Sequence, residues 1–188
     1  PELLGEPQAR ERLRAWAARM REPMAAGLVG VTEVLPQADH CALVVMPLPA
    51  GTSLAELFLH RSTLADRTGA SRMTPLPGAL SIAQRVAEGL AAAHSRGSCH
   101  LRLSSDKVFL DTVSEGGELR VFVLELGLFA ALAAGAAPPA IQSSAHKTYL
   151  APEQKGSAAQ PAVLGDARSD VYALGVLLVQ LLTGQLPD

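Results

Sequence analysis

The chain has 188 residues, enough for one domain with a single core. Hydrophobic residues make up 48% and charged residues 18%, which excludes intrinsic disorder because there is ample apolar surface to bury. With 16 basic against 18 acidic residues the net charge is −2, so no cationic excess exists to hold a phosphate backbone and nucleic acid is not expected as a partner.

In chain order, residues 7–21 read as a helix: Pro7 suits a first turn, Leu13, Trp16, Ala17 and Met20 share a face, and Glu22-Pro23 ends it. Two strand-like runs follow, 28–34 and 42–46, with a turn at Pro36-Gln37-Ala38-Asp39, which predicts a hairpin. Residues 47–52 break regular structure, 53–57 start a short helix, and 61–78 read as loop. The strongest helical pattern is 79–95, with Ile82, Val86, Leu90 and Ala93 inward and Gly97 beyond its end. Strands are expected at 107–110 and 119–124 around the hairpin signal Ser114-Glu115-Gly116-Gly117. Residues 129–139 are rich in Ala, Gly and Pro and read as loop. A last helix is expected at 170–183, capped by Ser169 and Gly184. Strands and helices in this order predict an α+β fold.

Cys41 and Cys99 are the only cysteines, which gives no disulfide framework and points to a reducing, cytoplasmic compartment. The most apolar stretch, 171–182, is too short to span a bilayer. No signal peptide is expected, and a start at Pro1 with an end at Asp188 reads as a piece of a longer polypeptide. Five scattered histidines predict no metal site, and His94 and His100 read as packed core histidines.

Four motifs then fall in one order. They are Leu90-Ala91-Ala92-Ala93-His94-Ser95-Arg96-Gly97-Ser98-Cys99-His100-Leu101-Arg102-Leu103, then Leu124-Glu125-Leu126-Gly127, then Thr148-Tyr149-Leu150-Ala151-Pro152-Glu153-Gln154, and finally Asp166 to Gly175. Together they resemble the catalytic loop, D-F-G segment, A-P-E segment and central helix of eukaryotic-like Ser/Thr protein kinases, in a bacterial wording. The resemblance implies a protein-kinase-like fold: a partial small lobe at 1–46, a hinge at 47–52, and a partial large lobe at 53–188. The Gly-rich strand pair with its lysine strand would precede Pro1, and the last large-lobe helices would follow Asp188.

Transferring a phosphoryl group depends on positioning and charge neutralisation, and the resemblance assigns those tasks to positions that differ here. Arg102 stands where the base aspartate belongs, and a guanidinium cannot take a hydroxyl proton. Lys107 stands where a metal-binding asparagine belongs, and an ammonium has no lone pair for a cation. Glu125 replaces the D-F-G aspartate. It is open to three readings: neutralised internally by Arg102 and Lys107, holding Mg²⁺, or one of several unrelated surface charges. Met46 aligns with the gatekeeper, and Pro47 and Pro49 with the hinge, where Pro49 has no N–H for an adenine ring. The two prolines also suit a merely stiff linker.

Other positions match the family's structural residues. His100 and Leu126 take places in its hydrophobic spine, Gly127 keeps the D-F-G glycine, and Asp170 matches the carboxylate that anchors the catalytic loop. For Asp170 simple helix-end stabilisation is the alternative. Glu153, whose usual arginine the resemblance places beyond this sequence, finds another partner, faces water or is completed by a second polypeptide, and Glu11 reads as a solvated helix charge. His146 replaces the threonine before the A-P-E segment, and Ser143, Ser144 and Thr148 are candidate phosphorylation sites.

The expectation is therefore a pseudokinase domain: no enzyme, no catalytic residues, no metal, with weak or absent ATP and Mg binding. It would act as a regulatory scaffold for protein partners, either other domains of the same polypeptide or an active kinase. The alternative is an atypical transferase or nucleotide sensor working through Glu125.

Overall fold

A computed structural model describes residues 7–21, 27–38, 41–111, 119–133, 144–156 and 162–187. The first helix, α1 (Pro7–Met20), buries Leu13, Trp16, Ala17 and Met20 as its periodicity requires. It packs in one core cluster with Val31, Ala93, Leu126 and Ala131. Strands β1 (Glu33–Ala38) and β2 (Cys41–Val45) form an antiparallel hairpin with Leu35 opposite Leu43. The first strand lies later than the pattern 28–34 predicts, and it takes in Pro36, Gln37 and Ala38 of the expected turn, with a register shift between Pro36 and Ala38. The start of that pattern instead runs beside the other sheet, where Val29 N–H donates to the Val123 carbonyl at 3.0 Å, and Val31 N–H then donates to the Met20 carbonyl at the end of α1 at 3.1 Å.

A second sheet has the order β3–β4–β5, all antiparallel: β3 (Thr52–Ser53), β4 (Val108–Asp111) and β5 (Arg120–Val123). The short β3 is invisible to a two-residue alternation test. Gly51 just before it has φ +98°, and an added Cβ would lie 1.9 Å from the Leu110 carbonyl oxygen, so only glycine lets the strands meet. Lys107 is not in a strand but closes the 3₁₀ turn Ser105–Lys107, and residues 114–117 lie outside the described residues.

The helix α2 (Leu54–Thr68) overruns the expected loop. Its start is fixed by a capping box, with Ser53 Oγ accepting from Glu56 N–H at 3.2 Å and Glu56 Oε2 accepting from Ser53 N–H at 3.0 Å. Gly69 in the left-handed region ends it. Helix α3 (Leu76–His94) starts three residues before the apolar pattern, because Pro77 sits comfortably in a first turn whose N–H groups need no helical partner. Short helices α4 (Leu128–Ala133), α5 (Ser144–Tyr149) and α6 (Pro152–Lys155) follow. Phe129 is thus helical rather than loop, while 134–143 lie outside the described residues.

Helix α7 (Ala167–Thr183) is capped by Asp166, which accepts from Arg168 N–H at 2.8 Å; Ser169 is one turn inside and buried. Helix α7 packs along α3 in the main core with Leu54, Leu103, Val108, Val123 and Tyr149. No described helix is long and apolar enough to cross a membrane. Helices with short antiparallel sheets in this order make an α+β fold, as the sequence predicts.

Candidate functional site

The loop after α3 carries the first site residues, and its backbone is strained. Leu101 has φ +64°, unfavourable for a branched side chain and stable only if the surroundings enforce it. Asp170, fully buried in the first turn of α7, supplies that force. Its carboxylate accepts from His100 N–H at 2.8 Å and Leu101 N–H at 2.6 Å, and its Oδ2 also meets His94 Nε2 at 2.8 Å. Gln154 secures the other side of the peptide by donating Nε2–H to the Leu101 carbonyl at 3.0 Å. Asp170 therefore does more than sit at a helix end. His100 is buried with no hydrogen-bond partner for either ring nitrogen among the described residues, and burial lowers its pKa.

The second strained residue is Glu125, at φ +60° just after β5. Leu126 beside it is fully buried against α1, where Trp16 Nε1–H donates to the Leu126 carbonyl at 2.8 Å. Gly127 at φ +69° passes so close to that indole that a Cβ would stand 3.3 Å from Nε1. Arg12 adds a charge-assisted bond from Nε–H to the Ala131 carbonyl at 3.3 Å, so α1 is pinned to this segment by hydrogen bonds without an ion pair from Glu11, which is exposed.

A cavity of about 250 Å³ lies between these two strained peptides, lined by Arg102, Lys107, Glu125, Phe129, His146 and Tyr149 among others. Lys107 Nζ donates to Glu125 Oε1 at 2.7 Å and lies 3.1 Å from Asp106 Oδ2. Burial pulls the ammonium's pKa down, but the two carboxylates outweigh it and raise the value. Arg102 takes a different place: its guanidinium covers the Phe129 ring at 3.7 Å from the centroid, and desolvation lowers its pKa. Of the two cations expected on Glu125, the one shown there is Lys107.

Asp106 is a site residue the sequence reasoning missed, although its place beside Lys107 was a signal. It accepts from the Ser104 hydroxyl, from Lys107 and from His146, whose Nε2 is 3.0 Å away. Burial alone would raise its pKa; the Ser104 hydroxyl, the Lys107 charge and His146 outweigh burial and hold it at about 2. A folded value below the ordinary 3.8 means stability that is present above that value and lost as pH falls toward 2. Discounted for solvent screening, the loss is about 1–2 kcal/mol. Urea unfolding between pH 5 and pH 2 should show this slope, flattened in Asp106→Asn.

The remaining expectations distribute simply. Met46 packs against the α1 cluster, Pro47 is exposed and Pro49 half-buried. Glu153 is exposed and accepts from the Ser169 hydroxyl at 2.7 Å. Ser144 is in α5, Thr148 is half-buried in the same helix, and Ser143 lies outside the described residues. Tyr149 is buried, its hydroxyl donating to Gln180 Oε1, and burial pushes its pKa up to about 12.

The nucleotide with magnesium that the resemblance implies would have to be held by these groups. An ammonium seated on the Glu125 carboxylate offers no lone pair, so this donor set does not fit a magnesium ion. Pro49 offers no hinge N–H to an adenine.

The profile of the family described as protein tyrosine and serine/threonine kinase matches residues 5–188. The chain is 31% identical over 167 residues to the serine/threonine-protein kinase pkn2 of Myxococcus xanthus, covering 85% of this chain and 17% of that protein. It is 30% identical over 185 residues to the serine/threonine-protein kinase PknL of Mycobacterium tuberculosis, covering 97% of this chain and 41% of that one. Pkn1 of Myxococcus xanthus is 40% identical over 121 residues. The chain thus spans less than half the length of these curated relatives. All of them are named as kinases and the match runs along nearly the whole chain, which overturns the expectation that it is no enzyme: the replaced positions do not remove it from a family of enzymes. On the strength of that match and the fold, the chain belongs to the protein tyrosine and serine/threonine kinase family.

Proposed function

We propose that this kinase-family domain works in signalling of the bacterial Ser/Thr-kinase type as a regulatory module that binds protein partners, with its pocket held in a self-neutralised state and its grip on ATP and magnesium weak. The observation that carries this reading is the 2.7 Å bond between Lys107 and Glu125, which places a cation of the chain itself on the carboxylate that a metal would need. An adenine nitrogen left unpaired over Pro49 costs roughly 1–3 kcal/mol, about one to two decades of affinity. The partners are other domains of the same polypeptide or an active kinase. A cytoplasmic setting goes with this role.

A second reading, a transferase acting through Glu125, draws on the retained carboxylate and its backbone at φ +60°. One experiment separates the two. Thermal unfolding is followed with ATP, with and without Mg²⁺ or Mn²⁺, beside a label-transfer assay using γ-labelled ATP and protein acceptors. The regulatory reading expects no metal-dependent stabilisation by ATP. Metal-dependent stabilisation with label on protein, both lost in Glu125→Gln, replaces it with the transferase reading.

A further inference from the structure

Three side chains that can ligate a metal meet where three elements join. His94 comes from the last turn of α3, Cys99 from the loop after it and Asp170 from the first turn of α7. A ring nitrogen of His94, the Cys99 sulfur and a carboxylate oxygen of Asp170 all lie within 4.8 Å of one another. We propose that His94, Cys99 and Asp170 bind a thiophilic divalent cation, zinc by its chemistry, with water as the fourth ligand, and that the ion pins α3 and the strained loop to α7.

The donor set selects the ion. Imidazole, thiolate and carboxylate together suit zinc, whereas magnesium and calcium take oxygen donors. Tetrahedral zinc with nitrogen and oxygen at about 2.0 Å and sulfur at about 2.3 Å sets donor–donor edges of roughly 3.3–3.6 Å. His94 Nε2 and Asp170 Oδ2 stand at 2.8 Å, joined by a shared proton, so the ion needs them only slightly further apart.

The protons balance. Neutral His94 carries its hydrogen on Nδ1 when Nε2 gives its lone pair to the metal, and the Cys99 thiol releases its proton to solvent as the sulfur binds. The two backbone bonds from His100 and Leu101 stay on the Asp170 carboxylate and orient it, as the supporting contacts of a ligating carboxylate do. Entry is open, because the His94 side chain is 21% exposed and Cys99 is a half-buried free thiol.

The test is a Co²⁺ titration of the chain in a Cys41→Ser background, where Cys99 is the sole thiol. The expected result is saturable binding with a thiolate-to-cobalt charge-transfer band and the visible bands of a tetrahedral ion, displaced by Zn²⁺. Cys99→Ser should abolish the charge-transfer band, and His94→Gln should weaken binding by at least about tenfold while keeping it. Zn²⁺ should also slow alkylation of Cys99 in the Cys41→Ser chain, a readout that needs no further variant. Absence of the charge-transfer band, its indifference to His94→Gln in a folded chain, or alkylation unaffected by Zn²⁺ overturns the proposal.

Discussion

Replacing Asp170 with asparagine is expected to cost about 3–5 kcal/mol of folding stability, the scale for breaking a buried charged network. The carboxylate is fully buried and satisfies two backbone N–H groups and His94 at once. An amide of the same shape accepts with one end and donates with the other, so one buried N–H faces another donor. Leu101 at φ +64° then loses part of what holds its unfavourable backbone, and that strain adds to the loss. Urea unfolding should show a lower midpoint with an unchanged slope. A loss below about 1 kcal/mol would show that Gln154, bonded to the Leu101 carbonyl, holds the loop without Asp170.

The second large effect is expected at Trp16, which is 3% exposed and the chain's only tryptophan. Trp16→Ala should destabilise by about 3–5 kcal/mol, because α1 loses its largest buried side chain and leaves a cavity over Leu126. Trp16→Phe separates packing from hydrogen bonding. It keeps most of the apolar volume but strands the Leu126 carbonyl, at a cost of about 1–3 kcal/mol. Far-ultraviolet circular dichroism follows both variants. Equal stability of Trp16→Phe and the parent would mean that the bond from Nε1 contributes nothing to docking α1.

These two residues show how differently parts of the fold could be read in advance. Trp16 was placed on the buried face of α1 by spacing alone, since Leu13, Trp16, Ala17 and Met20 recur at helical intervals. That its indole would reach a carbonyl 110 residues away was not in that pattern. Helix α2 was underestimated although its signature was present: Ser53 with Glu56 three residues on is a capping box written in the sequence. The pattern 28–34 is apolar enough for one strand, but its start pairs with Val123 of β5 while only its end, from Thr32, pairs with the hairpin strand β2.

The site divides along the same line. Arg102, Lys107 and Glu125 were recognised from motif order, and so was the Asp170 position, because a motif is a local pattern of residue types. Which cation would sit on Glu125 was not recoverable, since it depends on where the turn Ser105–Lys107 aims Lys107 and on Phe129 of α4 lying under the Arg102 guanidinium. The His146–Asp106 contact and the meeting of His94, Cys99 and Asp170 are equally out of reach of a local pattern, which shows His94 only as a packed histidine. Order, helical faces and family membership follow from short-range periodicity and spacing, which the chain carries as written. The Lys107–Glu125, Asp106–His146 and His94–Asp170 contacts join residues 18, 40 and 76 positions apart, and such distances close only when burial of the common core brings α3, the β4–β5 sheet and α7 together.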